Sequence, residues 1–488
     1  MYPDLPAAER LERYRSIVPD WEAFLDALSR PLPLCLWVNA LRTDRSDVAR
    51  RLVAEGIETR PLAWHPYALK GPPSEYAGQT LPFVAGLYHI QEEVSMLPVW
   101  LLDPRPGELL LDLCAAPGNK TAQAAVAMAN TGTVVANDRS AVRMRATRGT
   151  LDRLGIMNTA ITLGDAECFP LGRSSFDRIL VDVPCTCEGT SRKNRSALLT
   201  SGREISLGFH NRQLAMLRRA IQLCRPGGRI VYATCTYAPE ENELVVDAAL
   251  REAGTEVHLL PASIDGVRSS PGLTIWEERR LHPEMIKTMR VWPHQNDSGG
   301  FFVAVMEKSE KAGGGPSTSN QDEPEGSVSP PSYAIWIDTI AQRFGVPLDV
   351  FAGWRLHRPN RKYVFVVPAD HRPPLEPELV SDGMPLIRTN LKHPKLTTAG
   401  ARVIGSQARR NVVDATTEQA ERYVQRLDFT LDPDQRTGLS DAGYVIVRHR
   451  ALVLGVGLHF EEDGRVASMF PKVLSRGVRL PIPDGSGT

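Results

Sequence analysis

Residues 109–123 read LLLDLCAAPGNKTAQ, and the fold is decided there. LLLDLC (109–114) is an apolar run broken by one Asp, as in a parallel strand buried on both faces. The chain then turns through Ala115, Ala116, Pro117 and Gly118, and the Ala-rich KTAQAAVAMA (120–129) reads as a helix. Small residues let a ligand approach the backbone, and a helix N-terminus offers unpaired N–H groups to an anion. A nucleoside triphosphate loop would need Gly-Lys-Ser/Thr with an earlier Gly. Here Asn119 parts Gly118 from Lys120, and Cys114 occupies the earlier position.

The same alternation continues outward. TVVAND (133–138) is a strand, AVRMRATRGTLDRLG (141–155) a helix closing at Gly155, and TAITLGDA, DRILVDVPC and RIVYATCT are further strands. A helix around 210–224 carries Leu214, Leu217 and Ile221 on one face, and FFVAVMEK (301–308) is a late strand. Repeated β-α alternation predicts an α/β fold with a Rossmann-like doubly wound sheet. Asp138, Asp165 and Asp182 end three successive strands. There they converge on the crevice where such sheets bind ligands. Asp138 stands where an acid holds ribose hydroxyls, and Asp165 where one accepts a bond from an exocyclic amine. With Arg143 of the next helix, they join the loop Cys114–Lys120 as the candidate cofactor-binding set.

Two cysteine motifs follow. VDVPCTCEGTSRKN (181–194) carries Asp182 and Cys185; VYATCTYAPEENE (231–243) carries Cys235. Both thiols end a strand on the ligand side of the sheet. Cys185-X-Cys187 lacks the usual two-residue spacer of a zinc pair, and the second motif offers one Cys and no His, so no metal is expected. The arrangement suits thiol chemistry on a pyrimidine. A thiolate added at carbon 6 of cytosine makes carbon 5 nucleophilic, while an acid hydrogen-bonds ring nitrogen 3. Carbon 5 then attacks a methyl sulfonium, loses its proton, and the thiolate is expelled.

These residues resemble the Nol/Nop/Sun family of RNA (cytosine-5) methyltransferases. AAPGNKT is similar to the family's AAPGxKT loop, Asp182-Val-Pro-Cys185 to its D-x-P-C motif, and Tyr232-Ala-Thr-Cys235-Thr to its S/A-T-C-T motif, followed by Glu241-Asn242-Glu243. IQEEVSMLPV (90–99) resembles the segment that precedes the family's core. The likeness implies a class I methyltransferase core that uses S-adenosyl-L-methionine. It implies Cys235 as nucleophile, Cys185 assisting product release and Asp182 contacting the cytosine. Asp138 and Asp165 would hold the ribose and adenine, and Lys120 would orient the site. Asn119 stands where many members have Gly or Ser. Cys187 is an additional thiol at a small-residue position, which leaves two candidates for release and favours Cys185.

The whole chain has 488 residues and 42% hydrophobic content, enough for about two to four domains. Lys and Arg number 57, as do Asp and Glu, so the bulk charge neither advertises nor excludes a nucleic acid partner. The seven cysteines have no disulfide spacing, the N-terminus has no signal-peptide pattern, and no apolar run reaches the roughly 18 residues of a membrane span. A cytoplasmic protein with reduced thiols is expected. Residues 309–331, SEKAGGGPSTSNQDEPEGSVSPP, read as a flexible linker. That gives an N-terminal βαβ accessory RNA-binding module over 1–89, a methyltransferase core over 90–308, and an α+β RNA-binding region over 332–488.

In that last region Arg355, His357, Arg358, Arg361 and Lys362 cluster around Trp354 and Tyr363, suiting phosphate contacts and base stacking. GYVIVRHRALVLGVGLHF and EEDGRVASMFPK resemble the small PUA-like barrel of the RsmF-like rRNA branch. The partner expected is therefore RNA, with rRNA or the small ribosomal subunit favoured over tRNA. Neither membrane nor DNA is expected, and nothing calls for more than a monomer. A DNA cytosine-5 methyltransferase would use the Pro184-Cys185 thiol with a Glu-Asn-Val motif that is missing here. A non-catalytic assembly factor would need neither thiol.

Overall fold

The computed structural model describes residues 9–172, 175–310, 331–475 and 477–478. The segment expected to be a linker lies outside the described residues except at its two ends. Near the N-terminus, β1 (Leu34–Val38), β2 (Arg60–Pro61), β3 (Ala68–Gly71) and β4 (Tyr88–Ile90) form an antiparallel sheet in the order β2-β3-β1-β4. The helix Arg45–Ala54 leads from β1 to β2, and Asp44 caps it by accepting the Asp47 N–H. β3 lies between β1 and β2, so the expected βαβ unit is a split one. β4 carries this sheet to Ile90, one residue past the expected boundary.

Among the described residues the central sheet has ten strands. β5 (Leu109–Asp112), β6 (Thr133–Asp138), β7 (Thr159–Leu163), β8 (Phe176–Asp182) and β9 (Cys224–Thr234) run parallel, in the order β9-β8-β5-β6-β7. The order reverses at β5, and the crevice beyond the carboxyl ends of β5 and β8 is where such sheets bind ligands. Alternation of side chains divides the core. Leu110, Val134, Leu180 and Val231 enter one apolar cluster, while Leu111, Val135, Ile179 and Ile230 enter the other. That is why LLLDLC is apolar at consecutive positions. The helix Ala141–Leu154 starts on the Ser140 cap and stops at Gly155, whose φ of 77° is left-handed.

Antiparallel strands extend both sides. β10 (Val257–Leu260), β11 (Ser270–Pro271), β14 (Met289–Val291) and β15 (Phe301–Lys308) continue the sheet beyond β9, while β12 (Ile275–Trp276) and β13 (Arg279–Arg280) form a separate hairpin. β16 (Trp354–Asn360), β17 (Tyr363–Pro368), β19 (Met384–Arg388) and β20 (Lys395–Leu396) form their own sheet. β18 (Leu379–Asp382), although it belongs to the same C-terminal stretch, pairs with β7 through Leu379↔Thr162 and Asp382↔Ala160. The expected division after residue 331 is therefore not a division of the central sheet.

The final sheet joins β21 (Val412–Asp414), β22 (Phe429–Thr430), β23 (Gly443–His449), β24 (Leu452–Phe460) and β25 (Arg465–Ser468) in the order β21-β23-β24-β25-β22. Its end strands are not paired with each other, so among the described residues the barrel expected here is an open sheet. Leu36, Val38 and Tyr88 share one apolar cluster with Val445, Val447 and Leu454, so the first and last sheets pack on a common core. The basic cluster of the third sheet is split. Arg358, Arg361 and Lys362 are exposed, but Arg355 donates to the His371 carbonyl and His357 turns toward Asp382. Among the described residues no helix is long and apolar enough to cross a membrane.

Candidate active site

A cavity of about 450 Å³ opens at the carboxyl ends of β5, β6, β8 and β9, a size typical of small-molecule sites. Its wall includes Cys114, Ala116, Pro117, Asn119 and Lys120 of the loop after β5, Asp138 and Arg143 after β6, and Asp182, Cys185 and Cys235. Ala115 and Gly118 shape the loop from beneath. Gly118 has φ 96°, and a Cβ there would come within 2.6 Å of the Thr147 Cγ2. The loop can therefore lie against the helix Ala141–Leu154 only with no side chain at this position. Asp138 braces the loop by accepting the Ala116 N–H at 3.3 Å and the Ser140 N–H at 2.8 Å, while Arg143 donates to the Ala116 carbonyl. Asp165 is not brought to the cavity wall: it caps the turn at Glu167 and pairs with Arg212 at 3.4 Å.

Lys120 reaches across the crevice to Asp182, Nζ to Oδ2 at 2.6 Å. Burial alone would push its ammonium down, but the Asp182 carboxylate outweighs this and holds it above its ordinary value. Asp112, beneath the loop, is fully buried. Burial pushes its carboxyl up to about 7 although the Thr121 hydroxyl donates to it at 2.7 Å.

Three thiols meet in the same cavity. Cys185 Sγ lies 3.4 Å from Cys235 Sγ and 3.9 Å from Cys187 Sγ, and all three sulfurs lie within 4.8 Å of one another. Spacing along the chain counted against a metal site, yet Cys187, at a φ of 59°, lies with the other two thiols. The thiol bond with Cys187, the bond with Cys235 and burial raise Cys185. Cys185 hydrogen-bonds Cys235 in the sense that favours its thiolate, but Cys187, burial and Asp182 outweigh that bond and raise Cys235. Cys187 is lowered by its bonds to Cys185 and Cys235. The first proton to leave thus belongs to the trio as a unit.

The acidic run after Cys235 fixes both loops. Glu241 accepts the Thr186 N–H at 3.1 Å, the Thr186 hydroxyl at 2.6 Å and the Gln213 amide at 2.9 Å, anchoring the residue next to Cys185. Asn242 accepts from the Thr234 hydroxyl and donates to the Thr236 carbonyl, gripping both sides of Cys235. Gly189 N–H donates to the Cys235 carbonyl at 2.9 Å. Glu188 accepts from Thr236 and from the Tyr14 hydroxyl at 2.8 Å, so the N-terminal segment braces the site too. Nothing in the local sequence around Tyr14 signals this, because its partner lies 174 residues away. Glu92 was legible only as part of IQEEVSMLPV. It accepts the Gly299 N–H at 2.8 Å and lines the cavity.

A doubly wound sheet with a small-residue loop, strand-terminal acids and paired thiols at its switch point is the architecture of a Rossmann-like methyltransferase with a cysteine centre. Comparison with known proteins gives the same answer. The family described as 16S rRNA methyltransferase RsmB/F matches residues 99–307, and an RsmF/B-like ferredoxin-like domain matches residues 11–70. A tRNA (cytosine(49)-C(5))-methyltransferase of Pyrococcus abyssi is 34% identical over 61% of this chain and 95% of its own length. The human 28S rRNA (cytosine(4447)-C(5))-methyltransferase is 38% identical over 58% of this chain, which spans 35% of that protein's length. The crystal structure of a methyltransferase homolog from Pyrococcus horikoshii superposes with a TM-score of 0.53 at 30% identity, covering 62% of this chain and 99% of that one. The chain belongs to the Nol/Nop/Sun family of RNA (cytosine-5) methyltransferases.

Proposed function

We propose that this protein methylates carbon 5 of cytosine in RNA, with Cys235 as nucleophile. The observation that carries the reading is the placement of Cys235 and Cys185, 3.4 Å apart, in one cavity with Asp182. The cavity fits S-adenosyl-L-methionine: its size suits a nucleoside with an amino-acid tail, and the tight Gly118 turn leaves backbone close to the ligand. Ala116, Pro117, Asn119, Asp138 and Arg143 would hold it. When bound, it supplies an electrophilic methyl group.

Cys235 adds as thiolate to carbon 6 of the cytosine, and the electron pair displaced toward ring nitrogen 3 takes up a proton delivered through the Asp182 carboxyl. Lys120 keeps Asp182 in place and puts a positive charge beside the thiol on which charge must form. After methyl transfer the carbon 5 proton must leave. Cys185 is the group beside the adduct able to take it, and the carbon–sulfur bond then breaks. The glutamate and asparagine that grip Thr186, Thr234 and Thr236 hold the two thiols in register throughout.

Ribosomal RNA is the substrate class we favour. Support comes from the C-terminal sheets, whose exposed Arg358, Arg361 and Lys362 flank Tyr363, and from relatives named for rRNA. The free state of all seven cysteines suits a reducing, cytoplasmic setting. The test is methyl transfer from labelled cofactor to purified rRNA, assembled small subunits, tRNA and DNA, with nucleosides identified by mass spectrometry. 5-Methylcytidine in rRNA or subunits is expected. Product in tRNA alone would move the substrate class, and product in none, with cofactor bound, would overturn the reaction.

A further inference from the structure

The proposed reaction has work for two thiols, one to add to the pyrimidine and one to accept a proton. Four line the cavity, and three of them, Cys185, Cys187 and Cys235, cluster together. Cys187 serves no step, yet the chain adopts a left-handed conformation at a non-glycine residue to bring it there. The Cys187 carbonyl accepts from the Thr190 N–H at 2.9 Å and from the Thr190 hydroxyl at 2.8 Å, and the Cys187 thiol donates to the Cys185 carbonyl at 3.2 Å. The turn is held by bonds on every side.

The spacing of the sulfurs is informative. Zinc–thiolate bonds of about 2.3 Å in a tetrahedron put neighbouring sulfurs about 3.8 Å apart. The two hydrogen-bonded pairs here are at 3.4 and 3.9 Å, and the third sulfur pair lies within 4.8 Å. The trio therefore outlines one triangular face of a tetrahedron, with the remaining direction available to the cavity. Three thiolates around a divalent ion carry one net negative charge, beside the ion pairs Lys120–Asp182 and Arg143–Asp138. The donors are soft, which selects zinc(II), cadmium(II) or copper(I) over magnesium or calcium.

We propose that Cys185, Cys187 and Cys235 form a three-thiolate site for a soft d10 cation, zinc(II) foremost, and that filling it silences the nucleophile. Binding forms three metal–sulfur bonds, displaces water from the ion and releases the thiol protons to solvent. No electrons change hands, so a chelator reverses it. Loss of activity on filling rests on the role proposed for Cys235; binding itself does not.

The test uses the full chain, reduced and metal-free. Titration with cadmium chloride follows the ultraviolet sulfur-to-cadmium charge-transfer band, and competition against a zinc-indicator dye gives the zinc affinity. One equivalent with the intensity of three thiolates is expected. Cys187→Ser, and Cys187→Gly as the variant best suited to the positive φ, should each weaken binding by about two orders of magnitude. Cys168→Ser, at an exposed thiol outside the trio, should leave it unchanged. Equal affinity in both Cys187 variants, or no saturable band in the parent, overturns the proposal. These readouts need no methyl transfer, so an inactive protein that binds cadmium through the trio would overturn the reaction and leave the metal site standing. Where methyl transfer is measurable, zinc should inhibit the parent and excess chelator should restore it, with the inhibition midpoint shifted by the same factor in the Cys187 variants.

Discussion

The Cys185 and Cys235 sulfurs lie 3.4 Å apart although fifty residues separate them along the chain. Adjacent parallel strands explain the meeting: Asp182 at the end of β8 is in register with Ala233 on β9, so the loops that follow leave the sheet side by side. In the proposed reaction a nucleophile and a proton acceptor would thereby meet one face of a flat substrate.

Removing the nucleophile should separate chemistry from binding. Cys235→Ala is expected to lower methyl transfer by about 10⁴-fold or more. Cofactor affinity, measured by calorimetry, should stay within about a factor of three. Retained turnover in this variant would remove Cys235 from the reaction.

Blocking release should trap the substrate. In Cys185→Ala the bond from Cys235 to carbon 6 still forms, but departure of the carbon 5 proton is impaired. A covalent RNA–protein species should accumulate on denaturing gels, and Cys185→Ala/Cys235→Ala should abolish it. Normal turnover with no such species would reassign release to Cys187 or to solvent.

The cofactor loop tolerates no side chain at its tightest point. Gly118→Ala drives a methyl group to 2.6 Å from Thr147 Cγ2 at φ 96°. The strain is worth about 1–3 kcal/mol, and cofactor binding should weaken by about tenfold or more. Thr147→Ala in the same chain should recover part of the loss; no recovery would place the effect in the backbone angle alone.

Acid–base linkage at Asp112 has a definite sign. Burial raises its carboxyl from 3.8 to about 7 in the folded protein. The neutral form is favoured by folding, so its contribution is fully present below pH 3.8 and is lost as pH rises through about 7, by at most about 4 kcal/mol. Asp112→Asn should flatten the decline in urea midpoint between about pH 4 and 7. An unchanged slope would show that the carboxyl is ionised at little cost.

Much of this site could be read from local sequence. The loop at 112–120 and the two cysteine motifs follow strands whose apolar runs are unambiguous, and their chemistry sits in consecutive residues. TVVAND and FFVAVMEK occupy β6 and β15 residue for residue. What escaped the reading depends on distant pairing. Asp165 follows its strand as expected, yet it caps the turn at Glu167 and pairs with Arg212 of a remote helix. Of the five basic residues near Trp354, Arg355 and His357 look alike in sequence to the others but are engaged by His371 and Asp382. The pairing of β18 with β7 joins residues about two hundred positions apart, beyond the reach of any period or motif.

That same pairing has a consequence for the chain as it is made. β7 ends at Leu163, and its outer neighbour β18 begins only at Leu379. At about 5–20 residues per second, synthesis of the intervening stretch takes roughly ten to forty seconds. Throughout that interval β7 presents a bare row of backbone donors and acceptors on the nascent polypeptide, open to mispairing with a neighbouring chain on the same message. That edge of the central sheet is therefore covered only after more than three quarters of the chain has been made.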